Sequence, residues 1–275
     1  MVNILIPTDL SDLSKIAVQY AFKIANKLEG TVTLLHVVSI IQPTRASMRL
    51  QLKSLEDDLV ATAKEDLEIF VKDVSKQLKT SEPLKVKVVK GTTFNDTVLR
   101  EAKKLRTGLI VMGTRGASGL KKYVLGSNTA SVIEVSHVPV LAVPELGEFK
   151  SFKNILYATD LRHTHRELKT LIPYLEKFGA TVHLLHVTPS LKEVAALEKK
   201  IDAIVTKAGI TNVTCKVIVN KNIEEAIDYY VAESKVDLLT MFTHDVNFYE
   251  KLFNRSVTRK MAFHSKIPLL AFRQK

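Results

Sequence analysis

An open α/β fold with a mostly parallel sheet, built twice along the chain, is the fold class that this 275-residue sequence predicts. Three observations carry it. Short apolar runs alternate with longer amphipathic segments, the pattern of strands joined by crossover helices in a parallel sheet covered on both faces. Three segments recur in the same order: Asn3–Leu10 (NILIPTDL) as Asn154–Leu161 (NILYATDL), Leu34–Val37 (LLHV) as Leu184–Val187, and Val138–Val143 (VPVLAV) as Ile267–Phe272 (IPLLAF). Only a short connection, PELGEFKSFK from Pro144 to Lys153, separates the copies. The expected domains are therefore 1–143 and 154–275, with 144–153 as linker.

Within the first copy, Val2–Pro7 reads as a strand. Ser11–Leu28 reads as a helix ended by Gly30, a residue with the φ freedom that a C-cap uses. Thr31–Val38 is the next strand. From about Thr44 to Leu78 runs a long helical stretch rich in Glu, Asp, Lys and Leu. Its apolar residues Leu52, Leu55, Leu59, Ala63, Leu67, Phe70, Val71 and Val74 fall near helical spacing, a stripe that a core or a dimer contact usually covers. Val86–Val89 follows as a strand, Phe94–Arg106 as a helix, Leu109–Met112 as a strand, Ser127–Ser136 as a helix and Val138–Val143 as the last strand. The second copy repeats this order with a much shorter region after its second strand, about Ser190 to Gly209.

Composition narrows the class. The single cysteine, Cys215, excludes an internal disulfide framework and suits a reducing compartment. The N-terminus enters a strand directly without a basic leader region, and no apolar run reaches bilayer length, so a cytoplasmic protein is expected. A net charge of +11 invites a nucleic-acid reading. Lys and Arg outnumber Asp and Glu by 20 to 14 in 1–143 and by 20 to 15 in 144–275, so the excess is diffuse, and tryptophan is absent. Neither a specific nucleic-acid site nor a membrane role is expected.

The chemistry concentrates in Leu109–Thr129, LIVMGTRGASGLKKYVLGSNT. A strand runs into a loop with Gly113 and Gly116, and Gly126-Ser127 open the next helix. Glycines let backbone approach a ligand, and the unpaired N–H groups of a first helical turn receive an anion. In open parallel sheets ligands collect beyond the C-terminal strand ends, where the strand order reverses. If the first and fourth strands are neighbours there, Asp9 faces the same crevice. Asp9 is placed either to meet a ribose, a base edge or a magnesium ion, or to cap the following helix. His36 and His186 end equivalent strands and read as packed residues. His163 and His165 lack a further ligand at metal spacing, so no metal site is assigned.

These residues resemble the universal stress proteins, in tandem form, within the adenine nucleotide α-hydrolase-like group. The carriers are ILIPTD at Ile4–Asp9, LLHV at Leu34–Val37, the pattern G-x2-G-x9-G-[ST] at Gly113, Gly116, Gly126 and Ser127, and the closing VPVLAV. The resemblance implies two five-stranded, Rossmann-like α/β/α sandwiches packed as a pseudo-dimer through their last strands, with homodimerisation of the whole chain as a further expectation. It implies ATP as ligand, with magnesium as its companion ion. Asp9 and Val37 would stand at the adenosine end, beside Pro7 and Thr8. Met112, Gly113, Arg115 and Gly116 would line ribose and phosphates, and Gly126, Ser127, Asn128 and Thr129 would hold phosphate.

The second copy departs from the pattern. Counted back from Pro139 and Pro268, an offset of 129 residues sets Gly113 on Phe242, Gly116 on Asp245, Gly126 on Arg255 and Ser127 on Ser256. Nucleotide is therefore expected in the first copy only, with Asp245 and Arg255 free to pair across the second cavity. The expectation is a stress-response module that binds ATP and has no catalytic residues. A slow ATPase and a nucleotide-independent scaffold are the alternatives.

Overall fold

The computed structural model describes residues 2–40, 46–78, 84–114, 126–145, 149–243 and 267–273. They form two compact units, one ending at Glu145 and the other comprising the described residues from Phe149 on.

The first unit runs β1 (Asn3–Thr8), α1 (Asp12–Leu28), β2 (Thr31–Ser39), α2 (Ala46–Leu78), β3 (Lys85–Gly91), α3 (Phe94–Lys104), β4 (Leu109–Gly113), α4 (Ser127–Val135) and β5 (Val140–Val143). Its strands lie in the order β3-β2-β1-β4-β5, every pairing parallel. The central strand β1 is buried on both faces from Ile4 to Thr8, which is why it reads as a continuous apolar run rather than an alternation.

The second unit runs β6 (Asn154–Ala158), α5 (Thr164–Phe178), β7 (Thr181–Thr188), a 3₁₀ turn at Leu191–Glu193, α6 (Val194–Ala208), β8 (Val213–Val219), α7 (Ile223–Glu233), β9 (Leu238–Thr243) and β10 (Leu269–Arg273). Its order, β8-β7-β6-β9-β10, repeats the first with parallel pairing throughout. Even the register repeats. Ile4 pairs with Leu109 and Ile155 with Leu238, while Gly113 pairs with Val143 and Phe242 with Phe272.

Helix α1 shows how local chemistry sets an element. Ser11 is its N-cap and accepts a hydrogen bond from the Ser14 N–H, Asp12 stands in the first turn, and Lys27 in the last. Its C-terminus differs from the sequence expectation. Glu29, at φ 51°, takes the left-handed cap conformation, not Gly30. Gly30 is a glycine for space instead: a Cβ there would lie 2.5 Å from the Val2 carbonyl oxygen. Other boundaries shift by one or two residues, with α2 beginning at Ala46 and α3 ending at Lys104.

Beyond this core, α3 buries one carboxylate. Glu101, 1% exposed, accepts from Lys87 at 2.5 Å, Lys104 at 2.9 Å and Arg100 at 3.3 Å. Burial alone raises its pKa, but the three cations outweigh burial and hold it at about 2. A carboxylate depressed in the folded state stabilises the fold above its ordinary value of 4.5 and loses that contribution as pH falls toward about 2. Urea titrations across that window should show roughly 3 kcal/mol of stability lost to protonation. Glu101→Gln should remove that part of the acid sensitivity.

Candidate functional site

The order reversal between β1 and β4 puts the C-terminal ends of three strands side by side. Thr8 pairs with His36, and β1 pairs with β4 at Ile4–Leu109 and Leu5–Ile110, so Thr8 and Gly113 end neighbouring strands on the same edge of the sheet. Four features meet at this edge: the turn after β1, the end of β2, the end of β4 and the start of α4.

The turn after β1 is tightly held. Thr8, 3% exposed, accepts the Leu10 N–H on its hydroxyl at 3.0 Å and the His36 Nδ1 proton on its carbonyl at 2.9 Å. Leu10 sits at φ 65°, a conformation that costs a branched side chain of the order of 1–3 kcal/mol. The second unit reproduces these threonine, leucine and histidine contacts. Leu161 is at φ 63°, its N–H meets Thr159 Oγ1 at 3.1 Å, and His186 Nδ1 meets the Thr159 carbonyl at 2.9 Å. Both strand-end histidines are thus ties between neighbouring strands, each with its proton on Nδ1.

Asp9 is exposed. Its Oδ1 accepts from Ser11 N–H at 3.1 Å, Ser11 Oγ at 2.6 Å and Ser14 Oγ at 2.7 Å. Asp9 thus holds the start of α1 through the N-cap Ser11 and through Ser14, supporting the cap rather than forming it. Ser11 and Ser14, which hold it, were not among the residues expected from sequence; the signal for them was only their spacing from Asp9. In the second unit Asp160 is engaged differently. Its Oδ1 accepts the Arg162 N–H at 3.0 Å, and its Oδ2 pairs with Arg162 Nε at 3.4 Å. Arg162 supplies that carboxylate with its own cation.

At the end of β4, Gly113 is half-buried and its carbonyl accepts from Thr129 Oγ1 at 2.7 Å. Thr129 is 3% exposed, so its hydroxyl ties the first turn of α4 to β4. The Thr114 N–H donates to the Val143 carbonyl at 2.9 Å, and Gly126 N–H donates to the Thr114 carbonyl, closing the two ends of the loop between them. Gly126 caps α4 at φ −57° and brings no side chain to the first-turn N–H groups. Neither Gly113 nor Gly126 has a positive φ, so what glycine contributes at both is the missing Cβ. Ser127 and Asn128 are exposed in the uncapped first turn, which carries no acidic residue. Such a helix start attracts an anion.

Of the remaining expected residues, Pro7 and Met112 are buried in their strands and Val37 is half-buried in β2, paired with Val89. Arg115 and Gly116 lie outside the described residues, as do Asp245, Arg255 and Ser256. So does Leu52 as a side chain. Among the described residues no cluster of three or more His, Cys, Asp or Glu side chains could hold a metal ion, and no helix is long and apolar enough to cross a membrane.

The second unit fills the matching place with its own side chains. Phe242, at the position of Gly113, is 8% exposed and stacks on Phe272 with ring centroids 4.7 Å apart. Tyr157 meets Phe242 edge-on at 5.8 Å. The buried Tyr157 hydroxyl donates to Glu167 on α5, and burial with the adjoining carboxylate pushes its pKa far up.

The comparisons with known proteins bear on both units. A model of the universal stress protein family matches residues 1–144 and again 151–273. The chain belongs to the universal stress protein family. Universal stress protein Slr1230 of Synechocystis is 25% identical, with 99% of this chain and 100% of that protein covered. Universal stress protein MJ0531 of Methanocaldococcus jannaschii is 32% identical over 145 residues, 51% of this chain and 81% of that protein. Among solved structures, a universal stress protein from Archaeoglobus fulgidus superposes with a TM-score of 0.69 at 21% identity, covering 99% of this chain and 96% of its own. That likeness concerns the fold, a universal stress domain built twice.

Proposed function

We propose that the first unit of this universal stress protein binds ATP, with magnesium as companion ion, at the edge where β1, β2 and β4 end. The observation that carries the proposal is the junction of Gly113, Thr129 and Gly126. Two positions without a Cβ and an uncapped helix start are locked together there beside the Asp9 turn. On this reading the first-turn N–H groups of α4 receive phosphate and Val37 lies at the adenine end. The sequence pattern extends the phosphate contacts to Arg115 and Gly116. Magnesium, when bound, would offset phosphate charge; Asp9 is the carboxylate nearest in sequence logic to that role.

The same reading makes the protein a cytoplasmic regulatory module rather than a catalyst; the Ser11 and Ser14 hydroxyls that meet Asp9 hold the start of α1. We further propose that the units pair through their last strands, β5 and β10, whose residues Val140–Val143 and Leu269–Phe272 are apolar and need cover as edge strands. Cross-linking of cysteines placed in those two strands tests that pairing. Calorimetric titration of the full chain with Mg-ATP should give one site per chain. No binding would leave the scaffold alternative standing, and steady phosphate release by the same sample would favour the slow ATPase.

A further inference from the structure

Helix α2 carries two apolar stripes where the fold uses one. Ala63, Leu67, Phe70 and Val74 are buried, and α2 packs with them toward β2, β3 and α1. Leu55, Leu59 and Ile69 form the other stripe, and they are 53%, 45% and 65% exposed. Thr62 and Asp66 complete the series 55-59-62-66-69, whose alternating spacings of four and three are those of a helix–helix seam. At about 3.6 residues per turn this seam lies roughly a quarter-turn from the buried stripe.

The crossover does not need this length of helix. The second unit makes the same β-to-β connection with α6, 15 residues long, where α2 has 33. The extra helix presents leucines to water, which a monomeric fold ordinarily avoids in an ordered series.

We propose that this seam is the docking surface for a basic amphipathic helix of another protein. Charge selects that occupant. Between Lys53 and Ile69, six carboxylates (Glu56, Asp57, Asp58, Glu65, Asp66 and Glu68) stand against two lysines, Lys53 and Lys64, in a chain with net charge +11. Lys90 of β3 takes up Glu56 at 3.3 Å and Asp57 at 2.7 Å. Asp58, Glu65 and Asp66 remain exposed around the seam. A parallel second copy fits poorly, since Asp66 meets Asp66, and an antiparallel copy centred on Thr62 sets Asp58 against Asp66. A helix with leucines opposite Leu55, Leu59 and Ile69, a lysine opposite Asp66 and Lys or Arg at its flanks meets both the apolar residues and the carboxylates.

A three-heptad synthetic peptide with Leu at the first and fourth positions, Lys in place of the one that meets Asp66 and Lys at the flanks, carrying a fluorescent label, is the probe. Titrated with the full chain and followed by anisotropy, it should bind saturably. Leu59→Asp and Ile69→Asp should each weaken binding about tenfold or more, and the same peptide with Glu for Lys should not bind. Ile69→Asp should keep the parent melting temperature, its side chain being mostly in water, and Leu59→Asp, about half exposed, should lower it by a few degrees at most. Equal binding by parent and Leu59→Asp would overturn the proposal. So would indifference to peptide charge, or a chain that sediments as a dimer dissociated by Leu59→Asp.

Discussion

Gly113→Phe is expected to abolish ATP binding by the full chain, with a loss beyond about a hundredfold in calorimetric affinity. The substitution copies the second unit, where Phe242 occupies this strand position beside Phe272 as Gly113 lies beside Val143. The Thr129 hydroxyl reaches the Gly113 carbonyl and ties α4 to β4 there, so a second variant guards against misfolding. Gly116→Asp places a carboxylate where Asp245 stands in the other copy. Repulsion from phosphate of about 1–4 kcal/mol at contact corresponds to roughly fivefold to a thousandfold weaker binding. Asp160→Ala should leave affinity unchanged, because Arg162 already engages that carboxylate. Two equivalent sites in the parent, or binding that survives both glycine variants, would show that the nucleotide lies elsewhere.

The fold was legible because parallel sheets write themselves as apolar runs and because duplication wrote each run twice. The offset taken from Pro139 and Pro268 reappears in the strand register, down to Gly113 against Phe242. What sequence could not supply was the division of labour inside the site. Thr129 reads as a phosphate ligand in the motif, yet its hydroxyl is buried in a tie to β4. Asp9 reads equally as ligand or cap, and in the structure it accepts three donors from the N-cap Ser11 and from Ser14. Gly30 reads as a left-handed cap, but Glu29 takes that conformation while Gly30 clears the Val2 carbonyl. Each of these depends on which group comes within hydrogen-bonding distance, and spacing along the chain does not encode that. The second stripe of α2 was hidden for a related reason. Leu55 and Leu59 merge into the core stripe on paper, and only burial separates them.

The contrast between the units follows from these local choices. Both keep the strained Thr-Asp-Leu turn and the histidine tie, so the turn belongs to the fold itself. They part at the end of the fourth strand, where one places a glycine and the other an aromatic ring. A ring there needs company. Phe272 supplies a stacked face, and Tyr174 meets Phe272 edge-on at 5.9 Å. Residue types that would obstruct a ligand thereby become a core.

That core sets the largest expected effect on stability. Phe242→Ala should destabilise the second unit by about 3–5 kcal/mol, the usual range for removing a buried phenylalanine. Loss of its stacked and edge-on partners places it toward the upper end. Tyr157→Phe should cost less, about 1–3 kcal/mol, because it keeps the ring and removes only the donor to buried Glu167. Urea unfolding followed by a probe in each unit separates the two, since a chain of two compact units need not unfold in one step. The transition of the second unit should move while that of the first stays in place. Phe242→Ala should not create a second nucleotide site, for Arg162 still neutralises Asp160 and the sequence there still lacks the glycines. A shift below about 1 kcal/mol would mean that the aromatic stack only occupies space vacated by the ligand and does not hold the unit together.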